Sequence, residues 1–93
     1  MRLEVLLAKQ AEKDLERVPG YVASKLKAWV ALILKVGLRE TRAVKGYHDE
    51  PLHGDRAGQR SIRLSRSYRA FYRITQTGEV EIVLILEVNK HDY

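Results

Sequence analysis

The spacing of apolar residues changes character along the chain, and each change predicts an element. Residues 2–7 are mostly apolar and too few for a helix, so they predict a first strand. Ala8, Ala11, Leu15 and Val18 then lie three or four apart and predict a helix over about 8–18, which Pro19-Gly20 interrupts. Val22, Leu26, Trp29, Ile33 and Val36 keep the same spacing and predict a second helix running to about Val36, with Gly37 as its cap. Two helices joined by so short a turn form a hairpin that covers one side of a sheet. Trp29 stands on the apolar stripe and reads as a core residue rather than a base-stacking platform.

From Thr41 to Arg60 the chain is polar, glycine-bearing and without period, long for a connector, which points to mobility or a binding role. Beyond Arg60 the period becomes two. Ile62 and Leu64 alternate with Ser61 and Arg63, a turn falls at Ser65 to Ser67, and Y-R-A-F-Y-R-I sets Tyr68, Ala70, Tyr72 and Ile74 on one face against Arg69, Phe71 and Arg73 on the other. Gln76-Thr77-Gly78 makes the next turn. The run from Val80 to Val88 is apolar on both faces through its middle, as a central strand requires. Strict alternation along it groups Val83, Ile85, Glu87, Asn89, His91 and Tyr93 on one side and turns Lys90 and Asp92 to the other. The order is strand, helix, helix and three strands, an α/β (α+β) pattern, β-α-α-β-β-β.

The 93 residues suffice for one domain, 1–93, with a modest core, and no repeat or linker divides them. The longest apolar run is interrupted by Glu81 and Glu87 and is too short to span a membrane; the first residues lack a signal-peptide cleavage site, so cytoplasm is the default location. Without cysteine there is neither a disulfide nor a thiolate nucleophile. The formal charge of +5 is concentrated: residues 39–73 hold nine Lys or Arg against four acids, while the remainder holds eight of each sign. That surplus is mostly arginine, whose planar fork suits phosphate, and it favours a polyanionic ligand over a merely solubilising surface.

Candidate chemistry gathers at the end of the last strand, where E-V-N-K-H-D-Y supplies Lys90, His91, Asp92 and Tyr93. Histidine exchanges protons near neutral pH, and tyrosine or lysine can donate to a developing oxyanion. His48 and His53 lie in the apparent loop, far from His91. With no cysteine and no H-E-x-x-H pattern they predict no metal site, and His48 reads as solvated. No phosphate-cradling glycine loop, dinucleotide fingerprint or nucleophile elbow is present, and no cofactor is expected. What remains is phosphodiester chemistry without a metal on an arginine-lined sheet face. RNA brings its own nucleophile, the 2′-hydroxyl, so arginines need only hold the phosphate while a base removes the proton. Passive nucleic-acid binding fits the charge pattern equally well.

The element order together with P-L-H-G-D-R-A-G-Q-R-S-I-R-L at 51–64, Y-R-A-F-Y-R-I at 68–74 and V-N-K-H-D-Y at 88–93 resembles the RelE/ParE superfamily of bacterial toxins. P-L-x-G-D-R-x-G at 51–58 is most similar to its HigB-like branch. The resemblance implies a small, twisted, mainly antiparallel sheet backed by the helical hairpin, RelE-like in topology. It also implies the toxin of a type II toxin–antitoxin system, a ribosome-dependent endoribonuclease that cuts messenger RNA in the decoding site by 2′-hydroxyl attack and needs no metal. Arg69 falls at the phosphate-contacting arginine of the family's Tyr-Arg motif. His53 takes the place of a functional lysine, for which Lys45 is an electrostatic substitute, and His91 takes the place of a catalytic arginine.

The resemblance thus makes His91 an acid or base, Tyr93 its orienting or proton-donating partner, His53 a second proton-transfer group and Asp92 a group that orients a histidine. Arg63 and Arg73 would line the RNA path, and Arg56, Arg60, Lys45 and Lys90 complete the RNA-binding set. The terminal order His91-Asp92-Tyr93 departs from the Asp-Tyr-His of HigB-like proteins. The implied partners are a cognate antitoxin with a helix-turn-helix domain, the ribosome with its message, and operator DNA through the antitoxin complex. Inhibition of DNA gyrase in the manner of ParE, or passive nucleic-acid binding, are the competing functions.

Overall fold

The computed structural model describes residues 2–90, and within them the period-two segments pair into one sheet while the helical segments pack across one of its faces. Strand β1 (Arg2–Leu7) leads into α1 (Lys9–Arg17) and α2 (Gly20–Arg42), followed by β2 (Glu50–Pro51), β3 (Arg60–Arg63), β4 (Tyr68–Thr77) and β5 (Val80–Lys90). The sheet order is β1-β5-β4-β3-β2, with β1 parallel to β5 and the other neighbours antiparallel. The long apolar strand is therefore central, as its two apolar faces require. The last tight turn is made by Gly78, at φ 61, where a side chain would be strained. Ser65 makes the turn before β4, its hydroxyl accepting from the backbone N–H of Ser67 and Tyr68.

The core lies between sheet and hairpin. Ala11, Val22, Leu26, Trp29 and Ile33 from the helices meet Ile62, Ala70, Tyr72, Val83, Ile85 and Val88 from the strands. Trp29 is buried, as its place on the stripe predicts, and its ring stands 4.9 Å from that of Tyr72 at a tilt of 57°. Such a pair adds about 0.5–1.5 kcal/mol beyond its buried area. No helix among the described residues is long and apolar enough to cross a membrane.

Three features depart from the expected pattern. Gly37, at φ 88, does end the regular helix, but the chain turns helical again to Arg42, with buried Thr41 donating its hydroxyl to the Gly37 carbonyl at 2.7 Å. Val36, expected on the apolar stripe, is 42% exposed beside this break. The supposed connector from Thr41 to Arg60 is structured: single 3-10 turns at Lys45–Tyr47 and Gly54–Arg56 flank β2, so the order is β-α-α-β-β-β-β.

The third departure governs the site. Phe71 pairs with Glu87 and Tyr72 with Ile85, leaving Leu86 as a bulge. A bulge consumes one residue and reverses the alternation beyond it. Val83 and Ile85 face the helices with Val88, whereas Glu87 and Asn89 turn to the opposite face with Phe71 and Arg69. The expected grouping of Val83 and Ile85 with Glu87 and Asn89 is thus broken at Leu86. Beyond the bulge, the Val88 N–H finds its partner in the Asp14 carboxylate of α1, at 2.9 Å.

Candidate active site on the open sheet face

On the face away from the helices, alternation sets Arg63, Arg69 and Asn89 in one row across β3, β4 and β5, with Ser61, Phe71 and Glu87 in the next. Arg69 Nη2 lies 3.6 Å from Glu50 Oε1, and the two side chains are 25% and 42% exposed. On the far side of that carboxylate, His48 Nε2 is 3.6 Å from Glu50 Oε2. A cation suited to phosphate thus sits beside one oxygen of a carboxylate able to accept a proton, with an imidazole beside the other oxygen.

A second cluster borders the first. The 3-10 turn carrying Arg56 folds over the open face, so that its guanidinium stands 4.2 Å above the Phe71 ring. Arg56 also donates to the Glu87 carboxylate and, at 2.8 Å, to Gln59 Oε1. Asn89 Nδ2 donates to Glu87 Oε1 at 3.0 Å. Arg56 and Arg69 are thus each held by a carboxylate, which orients these two cations.

Beneath Glu50 the polar contacts turn inward. Asp49, its side chain 1% exposed, accepts from Arg60 Nε at 2.7 Å and from the Tyr72 hydroxyl at 2.5 Å. Burial, reinforced by that bond and by the Asp49 charge, pushes the Tyr72 phenol up to about 12, with Arg42 pulling the other way. Partial burial works against the Arg60 charge, but Asp49 and Tyr72 more than offset it and raise its pKa.

The expected site residues divide accordingly. Arg69, Arg63 and Arg73 belong to the open face and Arg56 covers part of it. Arg60 pairs in register with Tyr72 toward the helices and is committed to Asp49, and Lys90, in register with Tyr68, shares the parity of Val88 rather than that of Arg69. His53 and Lys45 are exposed, each in or beside a 3-10 turn. His91, Asp92 and Tyr93 lie outside the described residues. Glu50, Glu87 and Asn89 were not foreseen, and His48, read as solvated, is 56% exposed yet paired. The one available signal was an acid at Glu50, directly before Pro51-Leu52, inside the most basic stretch of the chain. Among the described residues no group of three or more metal-ligating side chains converges.

This architecture is shared with solved toxin structures. Over 99% of this chain and 100% of the other it is similar to the YoeB/ParE toxin from Agrobacterium tumefaciens, with a TM-score of 0.73 at 22% identity. It is similar to YafQ from E. coli strain BL21(DE3) over 97% of this chain and 93% of that one, TM-score 0.73 at 19% identity. A chain of the RelBE2 toxin–antitoxin complex from Mycobacterium tuberculosis matches over 98% of this chain and 100% of its own length, TM-score 0.68 at 23% identity. At these identities the likeness is one of fold. A search of curated proteins found no match. The family model for the ParE toxin of type II toxin–antitoxin systems, parDE, matches residues 5–92. Nearly every residue of the helical hairpin, the sheet and its open arginine face falls within that match, and the chain belongs to the ParE toxin family, within the RelE/ParE-type superfamily.

Proposed function

We propose that the protein is the toxin of a type II toxin–antitoxin pair and acts as a ribosome-dependent endoribonuclease on messenger RNA. The observation that carries this reading is the juxtaposition of Arg69 and Glu50, 3.6 Å apart on an open sheet face. In the reaction a 2′-hydroxyl oxygen attacks the adjacent phosphorus, its proton passing to a base. The bond to the 5′-oxygen breaks, leaving a 2′,3′-cyclic phosphate and, once an acid protonates the leaving oxygen, a 5′-hydroxyl. Arg69 holds the phosphate and stabilises the added charge. Glu50 joins His91 and His53 as a proton-transfer group, with Tyr93 and Asp92 orienting or donating. Arg63 and Arg73 line the RNA path, and Lys45 and Arg56 add positive charge at its edge. The likeness of P-L-x-G-D-R-x-G to HigB-like proteins supports the same class of activity.

A cytoplasmic setting follows from a ribosomal target. A cognate antitoxin, through which operator DNA is bound, follows from the toxin–antitoxin family. The matched family also carries the name ParE, which favours one second reading, inhibition of DNA gyrase through protein contacts. The test is a defined translation mixture containing the purified toxin, with fragments mapped by primer extension. Cleavage of message on ribosomes is the expected result. Intact message despite bound ribosomes overturns the nuclease reading, and inhibited supercoiling then establishes the gyrase one.

A further inference from the structure

We propose that Asp49 is a positioning residue: gripped in the core by Arg60 and Tyr72, it turns Glu50 outward and sets the Glu50 carboxylate beside Arg69. The inference deepens the nuclease reading and rests on it for its catalytic consequence.

The case begins with the weakness of β2. It is two residues long, and its second residue, Pro51, has no N–H for the ladder. Pairing with β3 through Glu50 opposite Ser61 and Pro51 opposite Arg60 is a slight hold for a residue expected to move a proton. Something else must fix Glu50, and its neighbour in the chain is a firmly anchored carboxylate. The Asp49 side chain is all but excluded from solvent and receives two side-chain donors, at 2.7 and 2.5 Å. Successive residues of extended chain point to opposite sides, so driving Asp49 into the core drives Glu50 onto the open face. The preceding residue, His48, is held left-handed at φ 47, a conformation a non-glycine residue keeps only where its surroundings impose it.

The partner that donates to Asp49 matters as much. Tyr72 and Arg69 belong to the same strand, β4, one turned inward and the other outward. Asp49 therefore registers Glu50 against the very strand that presents the phosphate-binding arginine. A hydrogen bond on the helix side of the sheet sets a distance on its open side, the kind of support from behind that a site needs to hold its groups in place.

Two mild variants test this, Tyr72→Phe, which deletes one donor and keeps the ring in the core, and Asp49→Asn, which keeps the shape and deletes the charge. The first readout needs no activity: the NMR signal of the Arg69 Nε–H group, with Glu50→Ala as the reference for a broken pair. In both variants it moves toward the Glu50→Ala position. The second readout is the single-turnover cleavage rate on programmed ribosomes, which falls about tenfold in Tyr72→Phe while ribosome binding is unchanged. In a Glu50→Gln background the same substitution causes no further loss, because Asp49 acts only through Glu50. An unmoved Arg69 signal overturns the proposal, as do losses that multiply in the double variant, which a merely structural role gives. If the unsubstituted toxin leaves message intact, the nuclease reading fails on its own account and the Arg69 signal still decides whether Asp49 sets the pair.

Discussion

A guanidinium with a quarter of its side chain in solvent, 3.6 Å from a carboxylate, gains little as a structural ion pair, yet it is well placed to meet a phosphate. Arg69→Ala is therefore expected to lower the single-turnover cleavage rate by about 100-fold or more, with less than about 1 kcal/mol of stability lost in urea unfolding. Tyr72 makes the opposite case, a residue whose proton belongs to the fold. Its pKa is raised to about 12, so its contribution is fully present below pH 10 and is lost as pH rises through 12. Urea titrations between pH 9 and 12 should show a steep loss of stability, on the order of 2–3 kcal/mol, that is absent in Tyr72→Phe. Arg69 was legible in the sequence because alternation through Y-R-A-F-Y-R-I is unbroken and an arginine on such a face has few other uses. Asp49 and Glu50 were not, because a two-residue strand has no period to detect and nothing local separates the buried acid from the exposed one.

Among the elements, the helices and long strands followed their apolar spacing closely, and the misses occurred where one residue changes the backbone. Leu86 is unremarkable as a letter, yet as a bulge it carries Glu87 and Asn89 to the side of Arg69. Gly37 was recognised as a helix end, but the helical turn after it depends on Thr41, whose hydroxyl bond to the Gly37 carbonyl has no sequence period. At φ 88 and ψ 170 an added Cβ at Gly37 meets open space, so Gly37→Ala should cost only the backbone strain, about 1–3 kcal/mol, read as a drop in Tm of several degrees. The Arg56 turn is tied down by the Phe71 ring and Glu87. Arg56→Ala should speed hydrogen exchange at Leu52, whose N–H donates to the Gln59 carbonyl at 2.9 Å across the base of that turn, while the amides of β4 and β5 exchange as before.

For the molecule as a whole the decisive quantity is where its +5 charge lies. The excess is carried by residues 39–73, which run from the last turn of α2 through β2 and β3 into β4, while the rest of the chain balances. Ribosome affinity should fall steeply with salt, and each of Arg63→Glu and Arg73→Glu should weaken binding for all messages alike and flatten that salt dependence. Equal affinity at low and high salt would mean that the charged face is not the docking face. The parallel pairing of β1 with β5 has a temporal meaning. In synthesis β1 leaves the ribosome first and can find no strand to lie against until β5 follows, nearly the whole chain later. The same late strand brings Glu87 and Asn89 to Arg69. A nascent chain therefore completes its open arginine face only when nearly all of it has been made, and under the proposed function that interval is time in which an antitoxin made beside it can be waiting.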